Sequence, residues 1–114
     1  MARLPAKLEA TALMRQVQAE GGFACVIARG EPDAGTLLVV LCHNGGAGGA
    51  NARAYERMPL PDGTRRWQLT RQADSANPES FADYLARRAG QDRDLWIIEL
   101  DIAGGERFIG LTAG

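Results

Sequence analysis

The chain is poor in the residues from which reactive sites are most often built. Its 114 residues hold one histidine, His43, and two cysteines, Cys25 and Cys42. A single histidine excludes His pairs and His-based metal clusters, and two cysteines give neither a disulfide framework nor a zinc spacing. Cys42 and His43 are neighbours on an expected strand and point to opposite faces, so they are poorly placed to share a metal. Both thiols are therefore expected as reduced, buried, small hydrophobes, and His43 at the solvent rim. The longest apolar run, Leu37 to Cys42, is six residues, against the roughly 20 that a membrane-spanning helix needs. Met1 to Pro5 has no signal-peptide character, so a cytoplasmic protein is expected.

Charge is scarce in one sense only. The net charge is −1, which gives no bulk attraction to nucleic acid or anionic lipid. Lysine is nearly missing: Lys7 stands alone against twelve arginines, and alanine and glycine are abundant, a bias that fits a GC-rich bacterial genome. The charge is unevenly spread. Residues 53–71 carry five Arg against Glu56 and Asp62, while residues 72–114 carry four Arg against eight acids.

What is present reads as one α+β domain over residues 1–114. Apolar residues make up 46% and charged residues 24%, near the globular average, and the length suits a single modest core. Ala6, Ala10, Leu13, Met14 and Val17 form one helical stripe, opened by Pro5 and stopped by Gly21-Gly22, predicting a helix over about 5–20. Phe23–Arg29, Thr36–His43, Arg53–Met58 and Arg65–Thr70 read as strands. Leu37–Leu41 has no polar residue, so both its faces are covered. Asp62-Gly63 is a hairpin signal, and Asn44–Asn51 is a Gly-rich connection expected to be flexible. Asn77 as N-cap and Pro78 as first helical residue start a second helix to about Ala89, ended by Gly90. Leu95–Leu100 is a fifth strand, and Glu106–Ile109 a short element of open type. The order αββββαβ implies a mostly antiparallel five-stranded sheet packed by two helices, with the first four strands as a meander. In that meander Cys25 and Cys42 would face each other across a hairpin.

Three stretches carry a resemblance. They are Met1–Glu9 running into Gly21-Gly-Phe23; Tyr55–Pro59 with Asp62-Gly63 and Arg66-Trp67; and Gln91–Asp101 with Glu106–Ile109. Together the chain resembles, over nearly its whole length, a family of short alphaproteobacterial proteins known as domain of unknown function 1491. The resemblance implies bacterial origin and a self-contained domain, and it brings no activity, ligand or catalytic residue.

The residues themselves offer few sites. The Gly-rich loop lies between strands and lacks the Gly-Lys-Ser/Thr of a phosphate cradle. Glu99 and Asp101 share one face of the last strand, as paired acids do, with Arg107 available as an ordinary partner. Arg53, Tyr55, Arg57, Arg65, Arg66 and Trp67 mix cations with aromatic faces on one hairpin, a combination that can stack bases and neutralise phosphate. The competing expectation is that Tyr55 and Trp67 face the core while the arginines screen a sheet edge or pair with the acidic C-terminal half. No catalytic set, metal or cofactor is expected. The reading is a non-enzymatic protein-interaction domain, self-associating or binding a protein partner, with nucleotide or nucleic-acid binding through hairpin 53–71 as the alternative.

Overall fold

Two segments, Leu37–Leu41 and Leu95–Ile98, carry no polar side chain on either strand face, and the architecture follows from where they go. In the computed structural model, which describes residues 4–111, the elements are α1 (Ala6–Ala19), β1 (Phe23–Ala28), β2 (Thr36–Cys42), β3 (Arg53–Pro59), β4 (Arg65–Gln72), α2 (Phe81–Gln91) and β5 (Leu95–Asp101). Short 3-10 turns occupy Gly46–Gly48 and Gly105–Ile109. The five strands form one sheet in the order β1-β5-β2-β3-β4. All neighbours are antiparallel except β2 and β5, which run parallel from Thr36↔Leu95 to Cys42↔Asp101.

The α+β class and the five-stranded, mostly antiparallel sheet stand as expected, but the meander does not. β5 inserts between β1 and β2, so β1 and β2 are not neighbours. The reason is burial. A strand apolar on both faces belongs in the middle of a sheet covered on both sides, and β2 and β5 are the two such strands here. Cys25 and Cys42 therefore do not face each other: Cys25 registers with Glu99 and Cys42 with Asp101. Both cysteines are free.

The helices cover opposite faces. On one, Ala6, Ala10 and Val17 of α1 meet Leu37, Val39, Leu41, Trp96, Ile98 and Leu100. On the other, Phe81, Tyr84 and Leu85 of α2 meet Leu38, Val40, Cys42, Ala54, Leu95 and Ile97. The expected stripe of α1 is thus its buried face, and Gly21, at φ +87°, takes the left-handed conformation that ends the helix. The turn at 30–35 sits so close to Asp94 that a Cβ on Gly30 would lie 2.2 Å from the Asp94 carbonyl oxygen. Trp96 Nε1 donates to the Glu31 carbonyl at 2.7 Å and fixes that turn to β5.

The second helix begins later than the sequence suggests. Asn77 is spent on a local turn, its Oδ1 accepting from Glu79 N at 2.9 Å, and the cap is Ser80, whose Oγ accepts from Asp83 N at 3.1 Å. Gly90 does not stop the helix. It keeps helical conformation through Gln91, because the Asp92 N–H still bonds to the Arg88 carbonyl. Ser80→Ala is expected to cost about 1 kcal/mol and Asn77→Ala less, measured by urea unfolding; the reverse order would return the cap to Asn77.

Candidate functional site

Strand pairing decides which hairpin residues meet. Arg57 lies opposite Trp67, Pro59 opposite Arg65 and Tyr55 opposite Leu69. Directly paired residues share a face, so Arg53, Tyr55, Arg57, Arg65 and Trp67 gather on the α1 side of the sheet. Arg66 pairs with Met58, on the other side, and is exposed. Five of the six candidate residues are brought together, and Arg66 is not.

The gathered arginines are engaged with acids. Arg57 grips Glu9 of α1 through both terminal nitrogens, at 2.5 and 2.7 Å, and its guanidinium lies 5.1 Å from the Trp67 ring centroid. Arg65 stands 3.8 Å from the same Glu9. Arg53 holds Glu106 with two hydrogen bonds, at 2.5 and 2.8 Å, and the Tyr55 hydroxyl donates to Glu106 at 3.4 Å. These bonds hold the Glu106 carboxyl below its ordinary pKa and push Arg53 up, while burial raises Tyr55. On the opposite face Arg71 and Arg87 both hold Glu79, and Arg88 bonds to the buried Glu56. Glu9 and Glu106 were not singled out from the sequence. Glu9 could have been found as the acid beside the apolar stripe of α1, four residues before Leu13.

A second cluster lies where the parallel strands end. β2 and β5 deliver Cys42, Glu99 and Asp101 to one face, with their ligand atoms within 4.8 Å of one another. The Gly-rich loop closes over them instead of hanging free. Asn44 N donates to Asp101 Oδ1 at 2.9 Å and Ala47 N to Glu99 Oε1 at 3.1 Å. Positive φ at Asn44 and Gly46 (+63° and +61°) turns those N–H groups inward. Burial, then the Glu99 and Asp101 charges, push the Cys42 thiol up to about 12; Cys25, across β5, is raised by burial and by Glu99. Arg107 does not serve Glu99 or Asp101 as expected. It bonds to Glu20 at 2.7 Å, because the 3-10 turn that carries it packs beside the end of α1. His43 is exposed, as expected.

A third feature is the edge of the sheet at β1. Its sequence, Phe23-Ala-Cys-Val-Ile-Ala28, has no charge, and Phe23, Val26 and Ile27 are exposed. Among the described residues no backbone group outside β5 pairs with the strand. The far edge, β4, reads Arg-Arg-Trp-Gln-Leu-Thr-Arg-Gln. The fold thus has one charged edge and one uncharged edge, the latter with a register shift between Val26 and Ala28.

A family model described as a protein of unknown function (DUF1491) matches residues 4–110. The chain belongs to this family. A crystal structure of a DUF1491 family protein from Caulobacter crescentus CB15 is 26% identical with a TM-score of 0.77, the match covering 96% of this chain and 98% of that one. An NMR structure of a DUF1491 family protein from the same organism is 27% identical, TM-score 0.77, over 98% and 97%. The solution structure of protein Atu0922 from A. tumefaciens is 28% identical, TM-score 0.66, over 89% and 87%. No curated protein matches the sequence. Membership agrees with the resemblance and with the fold, and it assigns no chemistry, so the site must be argued from its geometry.

Two outcomes follow from the clamps. Arg57→Ala should cost about 1–3 kcal/mol, since it strips a half-buried carboxylate of charged hydrogen bonds. Arg66→Ala should stay within about 0.5 kcal/mol, as an exposed substitution does; equal losses in urea unfolding would contradict this pairing pattern. The second concerns acid. Hydrogen bonds from Arg87, then Arg71, bring Glu79 from its ordinary 4.5 to about 2. A depressed folded pKa gives stability that is present above the unfolded value and lost as pH falls through the folded one. The thermal midpoint should therefore drop between pH 4.5 and about 2, and Glu79→Gln should flatten that slope.

Proposed function

We propose that this chain is a protein-interaction domain of the cytoplasm that associates with a second copy of itself through β1. The observation that carries the reading is the contrast between the two edges. Unpaired N–H and C=O groups on an edge strand are a template for another strand, and edges that must stay single are guarded by charge, proline or bulges. β4 follows that pattern with three arginines, whereas β1 carries no charge, has a single register shift at Ile27, and exposes Phe23 at 57%, Ile27 at 40% and Val26 at 37%.

A second copy fits this edge for a geometric reason. Antiparallel pairing over the regular stretch Phe23–Val26 with its twofold mate keeps each of those residues on its own side of the sheet and pairs both edges at once, giving a ten-stranded sheet. Net charge of −1 adds little repulsion to bringing two copies together. The opposite charges of the hairpin and the C-terminal half do not support the reading, because Arg53 and Arg71 already meet Glu106 and Glu79 within one chain. The hairpin's half-buried clamps likewise give nucleic-acid binding little to work with, since phosphate binding needs uncommitted cations.

Light scattering behind size-exclusion chromatography should give twice the chain mass at high concentration. Val26→Lys, which installs an ordinary edge guard at a half-open position, should give the monomer with unchanged circular dichroism. A wild-type protein that stays monomeric at millimolar concentration would remove self-association through β1.

A further inference from the structure

Among the described residues two carboxylates are buried, Glu56 and Glu99, at 9% and 8% exposure. They are treated differently. Glu56 is answered by the Arg88 guanidinium, as a buried charge must be. Glu99 faces no cation among the described residues. One of its oxygens accepts from Ala47 N, and the other receives no hydrogen bond from any described group. That second oxygen is not sealed from solvent, since Glu99 lines a surface recess, so it can take a cation without giving up a protein hydrogen bond. The half-buried Glu9 and Glu106 are each clamped by arginine, which makes the omission at Glu99 specific.

What surrounds Glu99 indicates the kind of cation. Cys42 Sγ and an Asp101 carboxylate oxygen lie within 4.8 Å of it and of each other. A thiol and two carboxylates suit a borderline-soft divalent ion, not magnesium or calcium, which take oxygen alone. A tetrahedral ion with bonds of about 2.0–2.3 Å sets its ligands roughly 3.5 Å apart, so side-chain adjustments of about an ångström close the set. The loop N–H groups of Asn44 and Ala47 each hold one carboxylate oxygen and leave the other for a metal, the orienting contact that metal-ligating carboxylates need. Asp101 lines a surface recess of about 360 Å³ with Phe23, His43 and Asn44, and Glu99 lines another with Ala28 and Ala47, so both carboxylates are reached from solvent. We propose that Cys42, Glu99 and Asp101 bind a divalent cation of the zinc type, with three protein ligands and one open position.

The test uses the full chain, stripped with chelator, and two probes: zinc chloride by calorimetry and cobalt(II) by absorption. One equivalent of zinc should bind and raise the thermal midpoint. Cobalt should give a thiolate-to-metal charge-transfer band that is lost in Cys42→Ser and kept in Cys25→Ser and His43→Ala. Asp101→Asn, at a half-exposed position, should weaken zinc binding at least ten-fold with unchanged circular dichroism, and it serves where Glu99→Gln fails to fold. Absence of stoichiometric zinc binding, or a cobalt band unaffected by Cys42→Ser or abolished by His43→Ala, would overturn the proposal.

Discussion

The parallel pairing of β2 with β5 is the constraint on which the rest of this molecule depends. Leu37, Leu38, Val39, Val40 and Leu41 are fully buried, as are Ile97 and Ile98 opposite them. Side chains of this kind contribute about 1.5–3 kcal/mol each when removed from water, a gain available only if both sheet faces are roofed. That requirement calls for one helix on each side, and α1 and α2 meet it. It also moves β1 out of contact with β2. A strand that could have closed a hairpin becomes an edge, and the edge inherits its exposed apolar residues.

Around that centre the arginines act as ties. Glu9 binds α1 to the hairpin through Arg57, Glu106 binds the last 3-10 turn to β3 through Arg53, and Glu56 binds β3 to α2 through Arg88. Each tie adds a polar link between elements that also share the core. The bidentate guanidinium suits the task, since it fixes orientation as well as distance. The local excess of positive charge at 53–71 is therefore mostly a fastening device. Its partners, Glu9, Glu79 and Glu106, lie on the same chain.

Much of this was legible in the sequence, and the parts that were not share a cause. The α1 stripe, the strands and the hairpin at Asp62-Gly63 depend on local periodicity and turn chemistry, which a sequence displays directly. The insertion of β5 depends on a competition between strands for the central positions, which the unbroken runs at Leu37–Leu41 and Leu95–Ile98 imply only when compared with β1. The cap was misplaced because Asn77 and Ser80 both have cap chemistry, and only the path of the 74–80 turn chooses between them. At the site, the face shared by Glu99 and Asp101 was visible from alternation. Cys42 joins them only because β2 runs parallel to β5 in a register no local signal sets. The arginine–glutamate ties were hidden for the same reason: Arg57 and Glu9 are 48 positions apart.

The two proposed surfaces meet at one residue pair. Phe23 registers with Asp101, and both line the same recess, so a strand added along β1 would end beside the mouth of the cation site. Binding free energies at adjoining sites are linked reciprocally: if a cation draws Asp101 inward and changes how Phe23 is presented, association must change cation affinity by the same factor. The link has a physical carrier in β5, which holds Glu99 and Asp101 on one face and β1 along its side. It also has a direction set by sterics. A second copy placed over Phe23 would narrow the recess that Asp101 lines, so dimerisation would act on the exchange rate of an ion even where it left affinity unchanged.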